Sequence, residues 1–196
     1  TTSFSDILHN TVTFDKVITG TAINYPLYAS GTSGTSTFKN NNISITAGTG
    51  GVKYGFYYAS STTISDIQRN NIYINSSQAG AQNYGYYGLL YPTRGAFQAA
   101  HPTLEIGSTT VNPQFVAPAT GNLTPTNYVL FGGGVNLLSS VPRDIIGTTR
   151  GAMPTPGAYE IPAIGNNNAG SVNLISPQGS FCAGVQPVRL SIVNAG

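Results

Sequence analysis

FSDILHNTVTF (residues 4–14) returns as TSTFKNNNISI (35–45) and again as ISDIQRNNIYI (64–74). A second pattern follows each copy: NYPLY at 24–28, KYGFY at 53–57 and NYGYY at 83–87. The equivalent residues Val12, Ile43 and Ile72 are therefore 31 and 29 residues apart. A period of this size is typical of stacked supersecondary units, each of which buries its apolar face only against its neighbours.

Each copy alternates apolar and polar residues as half-buried strands do. Val12 and Phe14 share one parity, and an inward residue precedes each turn at Ile7, Phe38 and Ile67. Each copy therefore predicts about three short strands, which can coil so that each pairs with its equivalent one repeat later. The alternative is a β-sandwich whose strands resemble one another by accident.

The turns carry asparagine at equivalent positions, Asn10, Asn41 and Asn70. Asparagine tolerates left-handed backbone angles, bonds to local backbone and can form amide ladders along a stack. We expect such a ladder at one corner of the repeats. A fourth, divergent strand is predicted at Leu104-Glu-Ile106, where the repeat loosens.

The composition favours an extended β protein. Hydrophobic residues make up 40% of the chain but charged residues only 7%, whereas a helical protein normally carries many Lys and Glu. The net charge of +2 and the scattered basic residues predict no nucleic-acid partner. The sequence has no long apolar run, so we expect no membrane insertion. Without an initiator Met or a signal peptide, we expect a mature or excised piece of a longer polypeptide.

Four motifs follow the repeats: VNPQFV (111–116), LTPTNYVL (123–130), DIIGTTR (144–150) and PTPGAYE (154–160). In this order they resemble the C-terminal end of the right-handed parallel β-helix domains of large bacterial surface proteins. The chain departs from that pattern at Asn112, where Asp is frequent, and at Thr155-Pro156, where Asp-Ile is usual. The resemblance implies an all-β fold, with right-handed parallel β-helix (solenoid) coils and a C-terminal cap over residues 1–160.

Residues 161–170 are predicted to be a linker, and 171–196 the first strands of a truncated Ig-like β-sandwich module. The second prediction depends on SPQGSFCAG (176–184), which resembles the start of an Ig-like adhesin module. In that family a later cysteine pairs with the first one. The resemblance therefore implies that Cys182 pairs with a cysteine beyond Gly196; the alternative is a free buried thiol.

The surface proteins that this chain resembles are adhesins exported to the bacterial surface by the type IX secretion system, some of them in gliding motility. The resemblance implies a structural or adhesive segment of a large secreted, extracellular protein without catalysis of its own. Its partners would be the secretion machinery during export, and then surface glycans or other cell-surface proteins. The alternatives are the C-terminal part of a β-helix polysaccharide lyase or hydrolase, and a segment of a phage fibre or tailspike.

The charged residues predict no catalytic or metal site, and no cofactor. Asp6 and Asp66 occupy equivalent positions, but Thr37 lies between them, so these carboxylates should be about 10 Å apart. That is too far for a shared metal, and a turn-capping role is favoured. His9 and His101 have no neighbours at ligand spacing, and His9 is predicted to be an exposed turn residue.

The tyrosines supply the candidate contact surface. Tyr28, Tyr57 and Tyr87 have the parity opposite to the inward residues, with Tyr58 and Tyr73 nearby. We expect these five on an exposed strip, where tyrosine rings can stack on sugars while their hydroxyls stay solvated. The alternative is a ladder that only stabilises the strands or packs under a loop.

Overall fold

The structure is a computed structural model that describes residues 5–29, 36–59, 64–162, 169–176 and 189–194. These residues form sixteen short strands and one α-helix, so the predicted all-β class is confirmed. The chain is divided into two compact units, Thr1–Ile161 and Pro162–Gly196.

Twelve strands belong to the repeats. In chain order they are β1 (Ser5–Leu8), β2 (Thr11–Phe14), β3 (Tyr28–Ala29), β4 (Ser36–Lys39), β5 (Asn42–Ile45), β6 (Lys53–Tyr54), β7 (Tyr57–Tyr58), β8 (Ile64–Gln68), β9 (Asn71–Ile74), β10 (Gln82–Asn83), β11 (Gly85–Tyr87) and β12 (Leu90–Tyr91). Equivalent strands pair in parallel as β1-β4-β8, β2-β5-β9 and β3-β7-β11, and β6 pairs with β10. β12 pairs antiparallel with β11.

The register of the first two sheets follows the sequence repeat. Val12 lies beside Ile43 and Ile43 beside Ile72, while Phe38 lies beside Ile67. Ile43, Ile72, Phe38 and Ile67 are each no more than 1% exposed and form the core. Val12, in the first repeat, is only partly buried because β2 is an edge strand of its sheet.

The third repeat is shifted by one residue from the alignment that the NYPLY, KYGFY and NYGYY patterns suggest. Tyr86, not Tyr87, pairs with Tyr57. The paired residues Tyr28, Tyr57 and Tyr86 are therefore evenly spaced in the sequence, and Tyr87 lies beside Tyr58. A one-residue shift exchanges the two faces of a strand. Gly85 permits this register because a Cβ there would lie 2.3 Å from the Phe56 ring.

A short helix, α1 (Arg94–Ala100), packs at the far end of the repeats. Thr93 caps it by accepting a bond from the Ala96 amide at 3.1 Å, and Phe97 is fully buried in the aromatic core. The sequence analysis does not predict this helix, since seven residues are too few for a clear helical period. The strand predicted at Leu104–Ile106 is wrong: this region makes only an isolated parallel bridge from Ile106 to Gln68.

The segment after the repeats returns along the side of the first two copies. It contains the antiparallel strands β13 (Phe115–Ala117) and β14 (Asn122–Pro125). The Gly157 amide then donates to the Asn40 carbonyl at 2.7 Å, and the Ala158 amide to Thr11 Oγ1 at 2.8 Å. The PTPGAYE motif therefore packs against repeats one and two, not over the last repeat as a terminal cap.

The second unit contains the antiparallel strands β15 (Ala169–Ser176) and β16 (Arg189–Asn194). β15 begins within the stretch predicted to be a linker. Cys182 lies outside the described residues, so its pairing and the Ig-like module stay predictions.

Candidate functional site

Five tyrosines gather on one surface of the repeats, here called the tyrosine patch: Tyr25, Tyr28, Tyr54, Tyr57 and Tyr86. Strands β3, β7 and β11 place Tyr28, Tyr57 and Tyr86 side by side through their parallel register. Tyr54 belongs to β6, and Tyr25 follows Asn24, which bridges to Lys53. The repeat itself therefore builds the patch.

The rings of the tyrosine patch form two columns. Tyr25 stacks on Tyr54 with ring centroids 5.6 Å apart and an interplanar angle of 11°. Tyr28 stacks on Tyr57 at 5.3 Å, and Tyr57 on Tyr86 at 4.5 Å. Tyr57 also meets Tyr25 and Tyr54 edge-on, at 5.1 and 5.5 Å. Each ring is held by its neighbours, so the surface is preformed.

Stacking decides which parts of the rings remain available. Tyr57 lies between two parallel rings, so its faces are covered, whereas Tyr28 ends its column and is 56% exposed. The hydroxyls of the five residues make no hydrogen bond to any other described residue. The patch therefore offers the exposed ring of Tyr28, ring edges and hydroxyls.

Crowding makes these phenols weaker acids. Desolvation raises the pKa of Tyr25, Tyr54 and Tyr57, and the neighbouring tyrosines raise it further because two adjacent phenolates would repel. These three hydroxyls thus stay protonated at neutral pH, where each can donate and accept a hydrogen bond.

Two predicted contact residues, Tyr58 and Tyr87, are buried, at 0% and 5% exposure. They lie on the inward face of β7 and β11, and the Tyr87 hydroxyl donates to the Ile64 carbonyl at 2.6 Å. For these two residues the prediction of an exposed strip is wrong. The cause is the one-residue shift for Tyr87 and the alternation of adjacent residues for Tyr58.

Tyr28 and Tyr57 do lie together in the tyrosine patch. Tyr73, the fifth predicted residue, lies elsewhere: it is half-buried in β9, and its hydroxyl bonds to Asn75 Nδ2 at 3.1 Å. Sequence reasoning missed Tyr25, Tyr54 and Tyr86 as contact residues. The recurrence of tyrosine in the second pattern signals the first two, but Tyr86 needs the observed register.

The two equivalent aspartates of the repeats, Asp6 and Asp66, are engaged in side-chain bonds. Asp6 accepts a bond from Thr37 Oγ1 at 2.5 Å, and Asp66 accepts one from Gln68 Nε2 at 2.8 Å and pairs with Lys39. The register places Thr37 between the two aspartates, as the repeat predicts.

Glu105 is a buried acid that the sequence does not reveal. It is 0% exposed, and its Oε2 accepts a bond from the Tyr84 hydroxyl. Burial raises the pKa of its carboxyl, although Tyr84 and Arg94 favour the ionised form.

His9 is buried, at 5% exposure, which overturns the prediction of an exposed turn residue. Its Nδ1 lies 3.2 Å from the Gly157 carbonyl and its Nε2 2.9 Å from Asn40 Nδ2. The returning segment covers it, a contact between residues far apart in sequence. Burial lowers its pKa from 6.5 to about 4, and the charge of Arg150 acts in the same direction.

Among the described residues, no group of three or more His, Cys, Asp or Glu side chains is placed to hold a metal ion. No helix within the described ranges is long and apolar enough to cross a membrane. Comparison with models of known protein families, with characterised proteins and with solved structures gives no match to this chain.

Proposed function

We propose that this chain is a non-catalytic adhesive segment of a large secreted bacterial surface protein. Its repeats form coils of a right-handed parallel β-helix, and the tyrosine patch is its contact surface. Surface glycans are the partners that suit this patch.

Two observations support the β-helix. Strands one repeat apart pair in parallel in four sheets, and parallel connections of this kind are almost always right-handed. The asparagine ladder supports it too: the Asn10 amide donates to Asn41 Oδ1, and the Asn41 amide to Asn70 Oδ1, both at 2.9 Å. Such ladders require equivalent turns to stack directly on one another.

The tyrosine patch carries the adhesive part of the proposal. Solvent-facing hydroxyls in fixed positions match the alternating donors and acceptors of a polysaccharide, and the open face of Tyr28 suits the apolar face of one sugar ring. Side chains that are already ordered lose little conformational entropy on binding. A weak but repeated contact of this kind suits adhesion.

A glycan array with the purified chain tests the proposal. We expect retention of a subset of glycans by the native protein, and weaker retention after Tyr28→Ala, Tyr57→Phe or Tyr86→Phe. Each lost hydroxyl should weaken binding by about 2- to 10-fold, because a neutral hydrogen bond contributes about 0.5–1.5 kcal/mol. Tyr128→Phe, which alters a tyrosine outside the patch, is the matched control.

Three results would count against the proposal. Retention that is unchanged by all three substitutions would exclude the tyrosine patch as the contact surface. Release of shortened products from a bound polysaccharide would favour the lyase or hydrolase alternative. A trimeric mass in solution would favour a phage fibre.

A further inference from the structure

A cleft of about 470 Å³ lies beside the third repeat, and its lining residues include none of the tyrosines of the patch. We call it the Arg94 cleft; its walls include Tyr73 of β9, Tyr84, the Thr93–Gly95 start of α1, and Thr110. Pockets that bind one small ligand have volumes in this range. The cleft can therefore hold about one sugar-sized molecule.

Arg94 is the cationic group of the cleft, and its hydrogen-bonding capacity is largely unused. Its Nη2 donates to the Glu105 carbonyl at 3.4 Å, which is a long bond, and its Nε has no partner. No carboxylate of the described residues forms an ion pair with it. A half-buried guanidinium with spare Nη donors is suited to a carboxylate, which it can bind in a bidentate manner.

Glu105 lies close to Arg94 but does not take this role. Its Oε2 is bonded to the Tyr84 hydroxyl, and the side chain is fully buried. Because it is buried, Glu105 does not line the cleft, whereas Arg94 does. The cleft therefore keeps a positive character toward a ligand.

The other walls favour a flat ligand that carries hydroxyl groups. Tyr84 contributes little surface to the cleft, because its ring packs against Phe56 and Phe97 in the core and its hydroxyl donates to Glu105. The half-buried Tyr73 supplies an aromatic ring, and the exposed Thr110 adds a hydroxyl. Sugar rings combine an apolar face with hydroxyls, which matches this arrangement.

We propose that the Arg94 cleft binds a carboxylate-bearing sugar residue, with the carboxylate on the Nη atoms of Arg94. This site is separate from the tyrosine patch, and its existence does not depend on the proposed adhesive role.

Glucuronate and its neutral methyl ester are matched probes, because they share a ring and differ in charge. Titration of the native chain, followed by NMR, should shift the amides of Thr93–Gly95 and Thr110 with glucuronate. The ester should bind more weakly than glucuronate by about 10-fold or more, since a hydrogen bond to a charged group contributes about 1.5–3 kcal/mol.

Arg94→Gln should reduce the affinity for glucuronate by about 10-fold or more. Arg143→Gln, which removes the same charge from an exposed site, should leave the affinity unchanged. Equal binding of acid and ester by the native protein would overturn the proposal without relying on a variant that has to fold. The proposal would also be overturned if glucuronate did not shift the amides of the cleft, or if Arg94→Gln bound glucuronate with the native affinity. Tyr28→Ala should not change these shifts, which separates this test from that of the tyrosine patch.

Discussion

At the scale of single residues, the same turn position holds a different residue in each repeat. His9, Asn40 and Arg69 are equivalent, and each has a left-handed backbone, with φ of 55°, 54° and 57°. Asparagine adopts this conformation at lower cost than most residues. Asn40 also bonds with its side chain to both the amide and the carbonyl of Val135, at 2.8 and 2.7 Å. The turn therefore docks the returning segment.

His9 should make stability depend on pH. Its pKa is about 4 in the folded chain and about 6.5 when unfolded, so only the unfolded state takes up a proton between these values. The free energy of unfolding should therefore fall as the pH drops from 6.5 to 4, by about 2–3 kcal/mol after allowance for solvent screening.

Urea unfolding of the native chain and of His9→Asn across this pH range checks the effect. Asparagine suits the left-handed turn and does not titrate, so the difference between the two proteins isolates His9 from the carboxylates. If the free energy of unfolding changed with pH in the same way in both proteins, His9 would not be a buried, neutral histidine.

Asn41 is the central residue of the asparagine ladder. Its Oδ1 accepts from Asn10, and its Nδ2 donates to the Ile7 carbonyl at 2.8 Å and to Asn70 Oδ1 at 3.0 Å. Asn41→Ala should lower the free energy of unfolding by about 2–3 kcal/mol, because it leaves buried groups without partners. The exposed Asn75→Ala is the control and should change it by less than about 0.5 kcal/mol. Similar denaturant midpoints for the two variants would refute a structural role for the ladder.

At the scale of elements, parallel pairing joins the repeats, and the returning segment approaches them very closely at Gly157. At Gly157, φ is 110° and a Cβ would lie 2.6 Å from Thr11 Oγ1 and 2.9 Å from the Asn42 Cβ. Only glycine allows the segment to approach this closely. The nearby ion pair of Arg150 with Glu160 fixes the fold of the segment itself.

Gly157→Ala should therefore destabilise the chain more than Gly147→Ala does. Both residues have positive φ, but a Cβ at Gly147 meets nothing within 4 Å. The backbone strain of about 1 kcal/mol is common to both variants, and the clash at Gly157 should add about 1–3 kcal/mol. Thermal unfolding and hydrogen exchange of the residue-157 amide provide the measurement. Equal losses in the two variants would mean that the close approach does not matter.

At the scale of the whole molecule, stability comes from apolar packing and hydrogen-bond ladders, with little from charge. Among the described residues, the ion pairs are Lys39–Asp66 and Arg150–Glu160. Aromatic rings from the second and third repeats, and from α1, meet in one core around Phe56.

Salt should therefore have little effect on stability. Raising NaCl from about 0.1 to 1 M, which shortens the screening length from about 10 to 3 Å, should change the free energy of unfolding by less than about 1 kcal/mol. Sodium sulfate should increase it, because excluded salts strengthen apolar burial. Denaturant unfolding in both salts measures this, and a large loss in NaCl would indicate that ion pairs dominate.

The sequence by itself determined the repeat, the all-β class, the asparagine ladder and the inward face of the first two sheets. These features depend on local alternation and on a fixed period, which are both visible in one dimension. The tertiary structure decided the rest. The shift that buries Tyr87 and places Tyr86 on the outer face depends on how Phe56, Gly85 and α1 fill the core. The burial of His9 and the pairing of Glu105 with Tyr84 join residues that no local pattern connects. The tyrosines therefore came from the repeat, but packing of the core selected those that face the solvent.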